Sequence, residues 1–235
     1  MTKDTVFQMD DALAASPFVM PGHPQRMLLA QWQSERLAVT YADLLASARY
    51  EAPARYFLSD LYGARDYTLR DNQIERVHNK ARKLLPEHMV KPLADALAMN
   101  QLSQVLDIRL CIELFEQMQV TVIDTACYVE AYRRCDNYLL RCEQIRLVQS
   151  IGHELDGVVR KPLVGTLLRM SRGPAHLAGL GELQAALERG FAAFRDMRGA
   201  DEFVGIIVER EQRILDRIYA GDDQPFEPDD ERTAT

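Results

Sequence analysis

Apolar side chains recur at intervals of three and four residues along most of the chain, which is the spacing of one face of an α-helix. Alternation of apolar and polar residues, the pattern of a half-buried strand, never extends beyond a few positions. The one β-prone run, residues 120–123, is short and has no evident partner strand. The pattern predicts an all-α fold, organised as a single-domain bundle of about seven to nine helices.

Proline and glycine mark where these helices begin and end. A long first helix is predicted over residues 24–45, because Pro24 suits a first turn and no other proline or glycine interrupts the segment. A short second helix is predicted over residues 54–62 and ends at Gly63, which tolerates a left-handed conformation. A third is predicted to end at Leu85.

The middle of the chain carries the most apolar segment. Residues 93–118 are apolar on more than one face, which predicts the central buried helix of the bundle. Residues 122–159 fit either one long helix or two helices with a break near Asp136 and Asn137. The prolines and glycines of residues 160–181 favour a short helix between loops, and two amphipathic helices complete the predicted fold.

The two ends differ from the body in composition. Residues 1–22 are poorly periodic and are predicted to form a flexible leader, in which Phe18 and Met20 either pack on the body or stay free. Residues 222–235 carry six acids against one arginine and few apolar side chains, so a disordered acidic tail is predicted. The all-helical domain is thereby predicted to span residues 23–221.

The formal net charge of -7 belongs to these ends, because acids and bases balance within residues 23–221. A body without a basic excess lacks the charge that attracts nucleic acid, so no nucleic-acid partner is expected. No apolar run approaches the ~18 residues that span a bilayer, and the N-terminal residues lack a secretory pattern. We therefore expect a cytoplasmic protein with no membrane partner.

The cysteines give no sign of a metal or disulfide framework. Cys111, Cys127, Cys135 and Cys142 lie in predicted helices and show no CxxC spacing. This distribution favours reduced thiols. Nucleotide-binding loops and the common hydrolase signatures are also absent from the sequence.

One spacing is compatible with a metal ligand pair. Glu75 and His78 lie three residues apart on a predicted helix, which places both side chains on one face. Di-iron bundles use this motif twice and the sequence holds it once, so a solvated face is preferred and no cofactor is expected. For His153, Glu154 and Asp156, a structural role near a helix end is preferred over acid–base chemistry.

A group of basic residues surrounds the glycine- and proline-containing segment: Arg160, Lys161, Arg169 and Arg172. Such a cluster, beside backbone amides at a helix start, is typical of a site for a phosphate or carboxylate group. The alternative is a basic rim that forms ion pairs with the acidic tail or with Glu182 and Glu188.

Polar residues interrupt the apolar surface of the predicted central helix, among them Asn100, Gln104, Asp107 and Arg109. Buried polar groups need partners, so these side chains are expected either to form interhelical hydrogen bonds or to line a cavity. Asp107 is expected to pair with Arg133 or Arg134.

The second predicted helix carries an aromatic motif with one acid, formed by Tyr56, Phe57, Asp60, Leu61 and Tyr62. These side chains are expected to anchor the helix to the core, and the alternative is an exposed docking surface. Residues 56–63 resemble the signature of the proteobacterial FFLEELY motif proteins, with Ser59 and Asp60 in place of two glutamates. The resemblance, which spans most of the chain, implies a bacterial cytoplasmic protein and no particular catalytic residue.

Long amphipathic helices with few special polar residues suit partner surfaces. The sequence therefore favours a non-enzymatic binding or protein-interaction module, whose partner is a second copy of the chain or another protein. The alternative is a helical-bundle enzyme or ligand carrier, heme-oxygenase-like or ferritin-like in architecture, with a site between helices.

Overall fold

The computed structural model describes residues 11–20, 22–61, 87–161 and 163–228. In chain order, its helices are α1 (Asp11–Ala14), α2 (Pro24–Thr40), α3 (Ala42–Ala46), α4 (Glu51–Tyr56), α5 (Glu87–Cys111), α6 (Thr125–Arg134), α7 (Tyr138–Val159), α8 (Val164–Leu177), α9 (Gly181–Met197) and α10 (Asp201–Tyr219). A 3₁₀ turn (Pro17–Val19) precedes α2, and π-helical turns follow α4 (Phe57–Leu61) and α5 (Ile112–Gln117). The described ranges contain no strand, so the all-α prediction is confirmed.

Helix α5 occupies the position predicted for the central helix. Its side chains at Leu102, Leu106 and Leu110 are fully buried, and the helix packs against α1, α2 and α7. Leu114, in the π-helical turn that follows, is also fully buried. The prediction of a central buried helix is confirmed, because a helix covered on several sides needs apolar residues on several faces.

The segment 122–159 forms two helices, α6 and α7, which is one of the two alternatives left by the sequence. Asp136 lies between them with a left-handed φ of 48°, a conformation that Asp tolerates better than most residues. The backbone N–H of Asn137 donates a hydrogen bond to the Tyr219 hydroxyl at 2.9 Å, which ties the break to α10. The break is therefore decided by two features: Asp136, which tolerates a positive φ, and the hydrogen bond from Asn137 to Tyr219.

The first helix is shorter than its periodicity predicts. The prediction of one helix over residues 24–45 is wrong at its end, since α2 stops at Thr40 and α3 begins at Ala42. Between them, Tyr41 is buried and its hydroxyl donates a hydrogen bond to Glu211 Oε1 of α10 at 2.7 Å. The chain bends where this tyrosine is held by the last helix.

A second core lies where α9 and α10 cross α7 and the α2–α4 segment. Its buried side chains include Phe194, Met197, Phe203 and Ile207. Gly152 of α7 lets the backbones approach, because a Cβ placed there would lie 2.4 Å from Cγ2 of Val204 in α10.

The ends of the described chain pack on the body, so the prediction of a flexible leader is wrong for residues 11–20, while residues 1–10 and 21 lie outside the described part of the chain. Leu13 and Phe18 are buried against α5 and its neighbours, whereas Met20 is exposed. A disordered tail over residues 222–235 is likewise wrong for residues 222–228, where Pro225 is buried. Residues 229–235 lie outside the described part of the chain.

Phe226 holds this C-terminal segment in place. Its ring lies 6.1 Å from the Trp32 ring and 6.1 Å from the Tyr128 ring, with the Arg36 guanidinium 5.1 Å from its centroid. Arg217 of α10 donates hydrogen bonds to the carbonyl groups of Gln224 and Glu227. An aromatic anchor and arginine hydrogen bonds to backbone carbonyls thus order a segment whose composition is typical of disordered tails.

Replacing Phe226 by alanine is expected to lower the free energy of unfolding by about 1–2 kcal/mol, because the ring and cation–π contacts are lost. Urea denaturation of the variant beside the wild-type protein measures this change. Glu227→Ala is the matched control, since its side chain is exposed and only its backbone carbonyl is bonded. Equal stability of the two variants would contradict the packing of this segment.

Candidate functional site

The polar residues of α5 form part of an interhelical hydrogen-bond network. Gln33 of α2 donates from Nε2 to Asp107 Oδ1 at 3.3 Å and to the Tyr128 hydroxyl at 3.5 Å. Arg109 donates to Asn137 Oδ1 at 3.0 Å, while Asn100 and Gln104 are half-buried on the same helix. The contacts of Asp107 and Arg109 correspond to a network rather than to a cavity.

The arginines expected to pair with Asp107 lie elsewhere. Arg133 donates to the backbone carbonyls of Ile218 and Asp222, both at 2.7 Å, so it fixes the end of α10 and the C-terminal segment. Arg134 pairs with Glu130 on the surface of α6. The predicted pairing of Asp107 is therefore wrong, since periodicity places all three residues on helices without fixing how the helices are rotated.

A buried arginine, Arg141 of α7, belongs to a further set of polar contacts between α7 and α5. Its Nη1 donates to Gln144 Oε1 at 3.0 Å, and Gln144 Nε2 donates to the Ser103 hydroxyl at 2.9 Å. The guanidinium lies 4.5 Å from the centroid of the Tyr132 ring. Burial raises the pKa of Asp107 above its usual value, and the charges of Arg141 and Arg26 oppose this rise.

The thiols beside this network are not poised as nucleophiles. Burial raises the pKa of Cys111 above its usual range and that of Cys135 to about 11, so both remain protonated at neutral pH. All four cysteines are free.

The cations proposed for anion binding are dispersed. Arg172 forms a two-pronged ion pair with Glu188 of α9, at 3.0 and 2.5 Å, and this pair holds the pKa of Glu188 down to about 2. Arg160 pairs with Asp156 at 2.6 Å. Arg169 makes a long contact of 3.4 Å to Thr166, and Lys161 is exposed. The ion pair between Arg172 and Glu188 agrees with the alternative interpretation, in which these cations form a basic rim that pairs with acids of α9.

Helix α8 is fastened to the body along one face. A Cβ placed on Gly165 would lie 2.9 Å from the Phe191 ring of α9, so the glycine leaves room for that ring against α8. Gln184 donates from Nε2 to the Leu168 carbonyl at 2.6 Å, and the Ser171 hydroxyl lies 3.2 Å from Gln184 Oε1. With the Arg172 ion pair, these contacts hold α8 against α9.

The opposite face of α8 is an exposed apolar stripe. Leu163, the residue that precedes α8, is 72% exposed; within the helix, Leu167 is 61% exposed, Met170 71% and Leu177 93%, and Pro174 is also exposed. These positions are spaced by four, three, four and three residues, and no residue of α8 is buried. An amphipathic helix usually turns its apolar side to the core, so outward-facing leucines mark a surface for a partner.

A cleft of about 330 Å³ lies where α7 meets the turn between α9 and α10. Three arginines line it, Arg160, Arg195 and Arg198, together with Asp156 and Gly199 and the apolar side chains of Val159 and Phe194. Of the predicted basic cluster, Arg160 alone belongs to this lining. Arg195 and Arg198 were missed because they lie far along the sequence, in an amphipathic helix and its cap.

Of the remaining sequence candidates, Asp156 lines this cleft, and the others lie apart from it or outside the described residues. His153 faces Asp201 at 3.7 Å on the surface, while Asp156 is buried and serves the cleft. Glu75 and His78 are outside the described ranges. Within those ranges, no three His, Cys, Asp or Glu side chains are grouped so that they hold a metal ion.

The aromatic motif is divided between the core and the undescribed segment. Phe57 is buried with its ring 6.0 Å from the Tyr41 ring. Tyr56 is half-buried against α9, where a Cβ on Gly190 would lie 2.7 Å from its ring. Tyr62 lies outside the described residues, as do the side chains of Asp60 and Leu61. The described part of the motif therefore anchors α4 to the core.

Comparison with known proteins gives one match. No curated protein and no solved structure is significantly similar to this chain. Across the described residues, every helix is too short or too polar to cross a lipid bilayer. A family model described as a domain of unknown function matches residues 21–225, which is most of the chain. The chain belongs to this family, DUF8198.

Proposed function

We propose that this protein is a non-enzymatic protein-interaction module that binds its partner through α8. The observation that carries the proposal is the outward apolar stripe of Leu163, Leu167, Met170 and Leu177 on a helix that is fastened by its other face. These apolar side chains are exposed to water, and burying them against a partner surface would be favourable.

The spacing of the stripe identifies the shape of the partner. Alternating steps of four and three residues form the seam along which a second helix packs at a shallow angle. The 14 residues of α8 give a seam about 21 Å long, at a rise of about 1.5 Å per residue. An amphipathic helix of similar length is the element that fits this seam.

The charge along α8 identifies the chemistry of that helix. Residues 160–181 contain no Asp or Glu, and Lys161 and Arg169 stay exposed beside the stripe. A helix with acidic residues flanking its leucines complements this surface, whereas a second copy of α8 brings the same positive charges to it. We therefore assign the surface to an acidic amphipathic helix of another protein.

Fluorescence anisotropy with a labelled acidic peptide tests the proposal. The peptide carries leucines at alternating three- and four-residue spacing with glutamates beside them, and a lysine-for-glutamate version serves as charge control. We expect the acidic peptide to bind, with an affinity that falls as salt screens the attraction. In Leu167→Glu and Met170→Glu the affinity is expected to fall more than tenfold, because a carboxylate enters the apolar seam.

Leu139→Glu is the matched control, since Leu139 is an exposed leucine of α7, away from the stripe, with a relative exposure of 80%. It should leave the affinity unchanged, and circular dichroism melts should show all three variants folded. If the acidic peptide does not bind, or if its lysine-for-glutamate version binds equally well, the assignment to an acidic helix is refuted. A dimer in native mass spectrometry that Leu167→Glu dissociates, or sedimentation with anionic vesicles, overturns it in favour of a second copy or a lipid surface.

The setting of this function is also part of the proposal. The free thiols and the absence of a membrane-spanning helix within the described residues support a cytoplasmic site of action. The segment Tyr56–Gly63 supports membership among the bacterial FFLEELY motif proteins. A ligand-carrier role has a separate structural basis in the arginine-lined cleft.

A further inference from the structure

We infer that the cleft between α7 and the α9–α10 turn is a binding site for a small organic dianion, and specifically for a phosphate monoester. This inference is independent of the docking surface on α8. It rests on the side chains that line the cleft, on the way one of them is fixed, and on the size of the space.

The charge of the lining favours a doubly negative ligand. Arg160, Arg195 and Arg198 supply three positive charges, and Asp156 offsets one of them. Arg198 forms no ion pair within the described residues, and the Asp196 carboxylate that pairs with Arg195 lies on the surface with a relative exposure of 65%. The lining residues therefore carry a net formal charge of +2, and Asp196, outside the lining, pairs with one of their guanidinium groups.

Asp156 fixes the geometry of one wall. This buried carboxylate accepts the backbone N–H of Ala200 through Oδ1 at 3.1 Å and pairs with Arg160 Nη2 through Oδ2 at 2.6 Å. The start of α10 and the guanidinium of Arg160 are thus held by one side chain. An arginine held in this way presents its remaining N–H groups to a ligand with little loss of side-chain entropy.

The turn between α9 and α10 brings the third arginine to the cleft. Arg198 has a left-handed φ of 60°, and Gly199 has a φ of 126° that side-chain-bearing residues rarely adopt. A Cβ on Gly199 would lie 3.6 Å from Arg160 Nη2. The positive φ values make the chain reverse so sharply that Arg195, Arg198 and α7 face one space.

The size and apolar part of the lining define the rest of the ligand. A space of about 330 Å³ lies at the lower end of the range for small-molecule sites. Val159 and Phe194 add an apolar surface beside the arginines. A guanidinium group donates two parallel hydrogen bonds to two oxygens of a phosphate. A phosphate group attached to a compact apolar body would therefore contact both the arginines and the apolar side chains of the cleft.

Isothermal titration calorimetry of the full chain with phenyl phosphate tests the inference. The comparison ligands are inorganic phosphate, which lacks the apolar body, and phenyl sulfate, which has the body but one charge. We expect 1:1 binding of phenyl phosphate, with weaker binding of both comparison ligands. Arg195→Ala and Arg198→Ala should each lower the affinity for phenyl phosphate by about tenfold or more, because each removes charge-assisted hydrogen bonds.

Arg134→Ala is the matched control, because it removes an exposed arginine of α6 outside the cleft. Its affinity for phenyl phosphate should equal that of the wild-type protein. No binding to the wild-type chain, or equal weakening by all three variants, overturns the inference. Arg198→Ala should still bind the acidic peptide, so failure of this site and failure of the α8 surface give different results.

Discussion

Replacing Leu106 by alanine is expected to lower the free energy of unfolding by about 3–4 kcal/mol, because a fully buried leucine loses its contacts and leaves a cavity. Leu106 lies in α5 and packs with Leu102 and Leu147, where α5 meets α7. Neighbouring helices on several sides prevent collapse into the space. Urea denaturation followed by circular dichroism measures the loss.

The control is Leu139→Ala, which makes the same chemical change at a leucine that is 80% exposed. Its effect is expected to stay within about 0.5 kcal/mol. A loss at Leu106 no larger than that at Leu139 would mean that α5 is not the centre of the bundle. The comparison therefore tests whether α5 is the central helix against which the other helices pack.

Replacing Arg141 by leucine is expected to cost about 3 kcal/mol at pH 7, because it leaves Gln144 without its donor and reduces the positive charge near Asp107. Leucine fills much of the volume, so lost polar contacts account for most of the effect. If Arg141 lined an open cavity instead, water would replace its contacts and the cost would be small. The result separates a satisfied network from a ligand pocket.

The pH dependence identifies the electrostatic part of this loss. Burial raises the folded-state pKa of Asp107, and removing Arg141 raises it further. A carboxyl whose folded-state pKa is raised costs stability that develops as pH rises from its unfolded-state pKa to its folded-state pKa, and it costs nothing when it is protonated in both states. The stability difference between Arg141→Leu and wild type should therefore be smaller at pH 4 than at pH 7.

Arg146→Leu is the matched control on the same helix. Arg146 is 56% exposed and pairs with Glu143 within α7, so its replacement should change stability by less than about 1 kcal/mol at either pH. A pH-independent loss at Arg141 equal to that at Arg146 would show that the arginine acts through neither Asp107 nor Gln144.

The periodicity of apolar residues predicted the helical class and the central helix because both depend on local spacing and overall hydrophobicity. The pattern did not predict the break at Tyr41, since a tyrosine hydroxyl bound by Glu211 is a contact across 170 residues of sequence. It also did not predict the ordering of residues 222–228. There, Phe226 and the buried Pro225 supply the apolar contacts that average composition conceals.

The candidate sites were less predictable than the fold. The stripe on α8 had a signal in the sequence, the spacing from Leu163 to Leu177, but periodicity cannot distinguish a face turned to the core from one turned outward. The cleft had no local signal, since Arg160 and Arg198 lie on different elements. Of its lining residues, Arg160 was identified as part of a cluster that the structure disperses, and Asp156 was assigned a structural role near a helix end.

The sequence by itself determined that the described chain is helical, in which segments most of its helices lie, and which helix is most apolar. These properties follow from hydrogen bonding and side-chain burial within single segments. The tertiary structure decided which polar groups meet, which apolar face is left in water, and that three arginines share one cleft. Those properties depend on the rotation and crossing of packed helices, to which residues far apart in sequence contribute together.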